Sequence, residues 1–114
     1  MAQKINSEQI ETQESWIAPT LAGAWVNFGA GFSAAGYMKD SLGFVHMRGM
    51  VKSGTGLICT LPVGYRPSGT LYISSATSGT TPGIINVSST GTVTMDGGSS
   101  SYISLSNVIF KAEA

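Results

Sequence analysis

The chain has 114 residues with 6 basic and 6 acidic side chains, one histidine, one cysteine and a formal net charge of zero. That length fits a single domain with its own core, and the charge balance excludes a global field that would draw nucleic acid or an anionic membrane. A lone cysteine excludes an internal disulfide, and no apolar run approaches the ~20 residues that cross a bilayer.

The N-terminus is polar rather than basic and then apolar, so a soluble chain without a secretion signal is expected. Charge is unevenly spread: Lys4, Glu8, Glu11 and Glu14 all precede Trp16, which leaves eight charges for the remaining 99 residues. An ordinary soluble domain carries about 25 % charged residues. Such a surface is expected to be covered in part by copies of itself and otherwise kept wet by Ser, Thr and Gly.

Residues 1–15 form an arm unlike the rest of the chain. Asn6 and Gln9 have capping-box spacing for a short helix, with Ile5 and Ile10 its few apolar residues. A helix that short is marginal alone, so the arm is either disordered or packed against equivalent arms. The domain proper is placed at 16–114.

From Trp16 onward, glycines, prolines and serine clusters arrive every eight to twelve residues, the punctuation of a β-protein. Residues 16–28 hold an extended stretch broken at Pro19 and Gly23, followed by a loop over 29–36. In 43–51 the residues alternate: Val45, Met47 and Val51 take one face, and Phe44, His46, Arg48, Met50 and Lys52 the other. The strand 57–61 follows a Ser-Gly-Thr-Gly turn and is expected to pair with it as a hairpin.

That strand runs into a fixed corner, Leu61-Pro62-Val63-Gly64-Tyr65-Arg66-Pro67. Pro62 suits the second position of a type I turn with Gly64 at the fourth, and Pro67 biases Arg66 to an extended backbone. A structural role is expected here, with Arg66 pairing to carbonyls or a carboxylate and Tyr65 packing over the turn.

The strand 70–76 points Leu71 and Ile73 inward and Tyr72 outward, and 77–83 is a loop. Ile85 and Val87 share a face, 88–91 turn the chain, and Val93 and Met95 continue the core pattern. Residues 96–101 are the most flexible in composition. The last strand, 102–111, changes phase between Ile103/Leu105 and Val108/Phe110, so a β-bulge is predicted near Ser106-Asn107. About seven to nine short strands without a long helix indicate an all-β, antiparallel β-sandwich of jelly-roll type.

The order of PTLAGAW, GYMKDSLGFVHMRGMV, LPVGYRPSGTLYI, IINVSSTGTV and YISLSNVIF resembles the globular modules of bacteriophage tail fibres and receptor-binding proteins, particularly those of phages and prophages of Gram-positive hosts. The resemblance covers residues 16–110, and its most specific part is the corner containing Pro62, Gly64, Tyr65, Arg66 and Pro67. It implies a homotrimeric β-sandwich head at the tip of a virion tail fibre or baseplate, made in the host cytoplasm. Such a head binds host surface polysaccharide and other tail proteins; the alternative it leaves open is a purely structural module that binds another virion protein.

Chemistry is sparse. Asp40, Asp96 and Glu113 are the carboxylates after Trp16, all in predicted loops or at the C-terminus. Glycoside hydrolysis needs two carboxylates across one bond, and only Asp40 with Asp96 offers itself. His46 has no nucleophile elbow to serve, and one histidine with one cysteine sets no metal-ligand spacing. Residues 29–34 fit G-x-G-x-x-A, but a strand rather than a helix is expected after them, so they are taken as a bend. Asn86-Val87-Ser88 matches a glycosylation acceptor inside a predicted strand and is discounted. No enzyme, cofactor or metal is expected.

The candidates for saccharide contact are therefore His46, Arg48 and Lys52, a basic stripe on one strand face suited to an anionic sugar or phosphate-bearing polymer. Tyr72 and Tyr102 add rings that could stack on sugar C–H faces, and Asp96, in the 96–101 loop, is a further candidate. A solvated face, for the stripe, and packing at sheet edges, for the rings, are the plainer alternatives.

Overall fold

The computed structural model describes residues 15–77, 82–97 and 102–113. These are all-β, with no helix and ten short strands in three antiparallel sheets. The expected arm helix, most of the 77–83 loop and the glycine-serine stretch after Gly97 lie outside the described residues.

Strands β5 (Gly56–Thr60), β6 (Leu71–Ser75), β7 (Gly83–Val87) and β8 (Thr92–Gly97) form a four-stranded sheet in the order β5-β8-β7-β6. The other strands form two three-stranded sheets. One runs β1 (Val26–Asn27), β4 (Met50–Lys52), β9 (Tyr102–Ser104); the other runs β10 (Ile109–Lys111), β3 (Phe44–Arg48), β2 (Gly36–Lys39). Inward residues of all three meet in one core, where Val45, Val51, Ile58, Leu61, Ile85, Val87, Val93, Ile103 and Leu105 are fully buried. Each such side chain contributes roughly 1.5–3 kcal/mol of transfer free energy.

The two smaller sheets are halves of one bent ribbon. Segment 44–52 lies antiparallel to segment 102–111 throughout, β3 against β10 and β4 against β9. Gly49, at φ +112°, breaks the first segment, and a turn at Ser106-Asn107 breaks the second. Between the paired ends, residues 47–49 face 105–108, so the second segment carries one extra residue. This is the phase change read from the sequence, enlarged from a bulge into a change of sheet. The strand expected over 43–51 is likewise two strands, and β2, where no strand is expected from the sequence, is the tenth.

The hairpin expected between the 43–51 strand and 57–61 does not form; β5 pairs with β8 instead. The reason lies in the connection. Gly54 is pressed under the buried Trp25, where a Cβ would stand 2.4 Å from the indole, and Ser53 and Gly56 both have positive φ. The segment wraps a tryptophan and carries the chain to the other sheet.

The corner is also shifted by one residue from the expected turn. The Tyr65 amide donates to the Pro62 carbonyl at 3.1 Å, so Pro62 is first and Gly64, at φ +97°, is third. A turn with positive φ at its third position is of type II, the kind that calls for glycine there. Arg66 Nε donates to the Leu61 carbonyl at 2.8 Å, and Tyr65 packs edge-on to Tyr37. Pro67 is buried, and the Arg66 carbonyl accepts from the Glu113 amide.

Candidate functional site

The six saccharide-contact candidates fall into three pairs on three parts of the fold. His46 and Arg48 are on β3, whereas Lys52 is on β4 in a different sheet, so the single-strand stripe is broken at Gly49. Neither β3 residue is bare. His46 Nε2 stands 2.9 Å from Asp40 Oδ2, and the Arg48 guanidinium lies 4.4 Å from the centre of the Trp16 ring.

Asp40 occupies the β2–β3 turn. Its Oδ1 accepts from the amides of Leu42 and Phe44, a side-chain turn that closes the hairpin. The bond to His46, followed by the one from the Phe44 amide, holds its carboxyl below the ordinary value of 3.8.

Tyr72 and Asp96 share the outer face of the four-stranded sheet. Tyr72 is 68 % exposed on β6 and pairs across to Asn86 on β7, which pairs in turn to Thr94 on β8. Asp96 is a strand residue rather than the loop residue expected. It is skipped where Ile84 pairs Gly97 and Ile85 pairs Met95, and this bulge leaves its Oδ2 to accept from Asn86 Nδ2 at 3.2 Å. The result is a flat face of phenol, amide, hydroxyl and carboxylate.

Lys52 and Tyr102 are direct cross-strand partners on β4 and β9. Phe28 joins them: its ring meets Tyr102 edge-on at 5.2 Å, and Lys52 Nζ stands 5.0 Å from its centre. Phe32 then packs edge-on to Phe28, also at 5.2 Å, while staying 50 % exposed. The loop presenting Phe32 is the G-x-G-x-x-A segment. Gly29, Ala30 and Gly31 have φ of 75°, 50° and 88°, and the Phe32 amide closes a turn onto the Gly29 carbonyl. A strand follows it, so the bend reading holds.

Beside Phe32 opens a groove of about 360 Å³ bounded by Ser33, Gly49, Met50, Ser104 and Ser106. It sits where both segments of the ribbon break. The sequence reading missed Phe32 and these serines. The available signal was an aromatic residue stranded among glycines and alanines, where no apolar periodicity gives it a place in the core.

Asp40 and Asp96, the carboxylate pair considered for hydrolysis, belong to the β2–β3 turn and to β8, in different parts of the fold. Among the described residues no group of three or more His, Cys, Asp or Glu could hold a metal ion. Cys59 is buried, and burial pushes its thiol up to about 12. No helix of the described residues is long and apolar enough to cross a membrane.

An antiparallel β-sandwich showing rings, amides and hydroxyls on its surface is the class of module these features define. Its fold is that of a phage receptor-binding protein: 99 % of the chain superposes on the receptor binding protein (gp15) of Listeria phage PSA, with a TM-score of 0.80 over 74 % of that chain and 18 % identity. No family profile and no curated protein matches the sequence. The resemblance read from the motifs and the structural likeness agree on the fold.

Proposed function

We propose that this chain is a non-enzymatic attachment module of a phage or prophage tail, a head that binds saccharide on the host surface as a homotrimer within the virion. The observation that carries this reading is the near-complete superposition on a phage receptor-binding protein. The exposed ring of Tyr72 beside Asn86, and of Phe32 beside a serine-lined groove, supply the surface chemistry that sugars need: flat apolar faces next to hydroxyl and amide groups.

Trimerisation fits the low charge of the domain and adds strength. A millimolar sugar site is worth about 4 kcal/mol, and linking copies raises avidity by about 10² or more when geometry allows simultaneous contact.

Labelled full-length chain is expected to bind intact Gram-positive cells, Listeria among them, and to lose that binding when periodate cleaves the sugar diols but not when surface proteins are digested. Light scattering is expected to report three chains. Binding should survive Asp40→Asn and Asp96→Asn without release of reducing sugar. Binding to purified tail proteins with none to cells would instead establish the structural alternative, and reducing sugar released by the wild type but not by the variants would establish an enzyme.

A further inference from the structure

We infer that the groove beside Phe32 is the sugar site and that it takes a neutral, hydroxyl-rich unit rather than an anionic one, an inference resting on the saccharide reading above. The first support is the loop. Three successive residues have positive φ, and Ala30, between the two glycines, is held where an L side chain is strained. Strain of this kind collects at ligand clamps, and what this loop achieves is to hold the half-exposed Phe32 ring upright against Phe28.

The second support is the hydrogen-bond inventory. A serine hydroxyl has one proton to donate and two lone pairs to accept with. Ser104 Oγ accepts from the Ser106 amide at 3.1 Å, and Ser106 Oγ accepts from the Gly49 amide at 3.3 Å. Both oxygens are thereby fixed by backbone donors while both protons remain to be given. Two oriented O–H donors facing an exposed ring suit a pyranose, whose C–H face lies on Phe32 while its hydroxyl oxygens accept from Ser104 and Ser106.

The third support is where the positive charge lies. No charged side chain lines the groove. Of the five cations of the described residues, Lys39, Arg48 and Lys111 lie over Tyr65, Trp16 and Phe44 and Arg66 on the Leu61 carbonyl, while Lys52 lies over Phe28, the ring that packs on Phe32, and does not itself line the groove. A carboxylate or phosphate entering the groove would lose hydration with no counter-charge in the groove wall. At about 360 Å³ the space is at the small end of ligand sites, the right order for a sugar unit.

The test is amide NMR on ¹⁵N-labelled full-length chain titrated with glucose, galactose, N-acetylglucosamine and glucuronic acid. At least one neutral sugar is expected to give saturable shifts at Gly31, Phe32, Ser33, Gly49 and Ser106, with glucuronic acid weaker. Phe32→Ala and Ser104→Ala should each weaken that binding, the former about tenfold, while Leu42→Ala, exposed in the β2–β3 turn, leaves it unchanged. Unmoved amides at Ile85, Val87 and Val93 report an intact fold in each variant. Shifts centred on Tyr72, Asn86 and Thr94, a preference for glucuronic acid, or silence of the groove towards every neutral sugar while periodate-sensitive cell binding persists would overturn the groove and leave the saccharide reading standing. Absence of any cell or sugar binding would overturn both.

Discussion

The four-stranded sheet and the bent ribbon are made of the same residue types, yet they solve opposite problems. In the sheet, β6, β7 and β8 are consecutive hairpins whose turns are local. The 88–91 turn is fastened by the Gly91 amide to the Ser88 carbonyl and by the Ser88 hydroxyl to those of Thr90 and Thr92. In the ribbon, segment 44–52 must find segment 102–111 across most of the domain, and both break at one level. The uninterrupted ladder yields a flat face. The interrupted one yields a groove, because backbone amides released from the ladder turn to serine hydroxyls instead.

Gly49→Ala is the sharpest way to break the ribbon. A Cβ there would stand 2.6 Å from the Ala34 carbonyl oxygen and from the Ala35 Cα, with φ at +112°, so backbone must move. A loss of about 3 kcal/mol or more is expected in urea unfolding. Gly56→Ala in the sheet also has positive φ, but nothing lies within 4 Å of the added carbon, so only about 1 kcal/mol should be lost. Equal losses would show that the break at Gly49 has no special place in the fold.

Next in size is the alkaline behaviour of the core. Cys59 in β5 titrates at about 12 in the folded protein against an ordinary 9.0. Between those values the unfolded chain has given up a proton that the folded chain keeps, so stability falls as pH rises, by up to about 1.4 kcal/mol per unit. Cys59→Ala or Cys59→Val should flatten that slope, and in the native wild type a thiol reagent should react only at the rate of unfolding.

The smallest effect concerns Asp40 at the ribbon's outer turn. Its carboxyl is held low, so the stability it adds is present above the ordinary value of 3.8 and is lost as pH falls through the folded value. Asp40→Asn should remove that acid-side dependence by lowering the urea midpoint slightly at neutral pH while leaving it unchanged in acid. An unchanged acid limb would mean that the His46 contact is not maintained in solution.

The same contrast explains what could be read from the sequence. Leu71, Ile73, Ile85, Val87 and Val93 declare themselves by strict alternation, and the SSTG turn by its composition, because each depends on neighbours a few residues away. The partner of β5 and the break at Gly49 depend on Trp25 and Ala34, which no local pattern links to them. The phase change in 102–111 was visible, but a single strand cannot show whether an extra residue bulges or changes sheet. The candidate site was half legible: Lys52 and Tyr102 could be named from the sequence and meet as cross-strand partners beside Phe28, while Phe32 had to be placed by the ribbon before its neighbours could be known.

Under the attachment role proposed above, the seating of cations on rings has a practical consequence for a particle that must work outside a cell. Adhesion that leans on bare charges weakens steeply as ions in the medium shield them. A contact made through ring faces and hydroxyls, with the ammonium and guanidinium groups of the described residues already seated within the molecule, should hold nearly as well in brine as in fresh water.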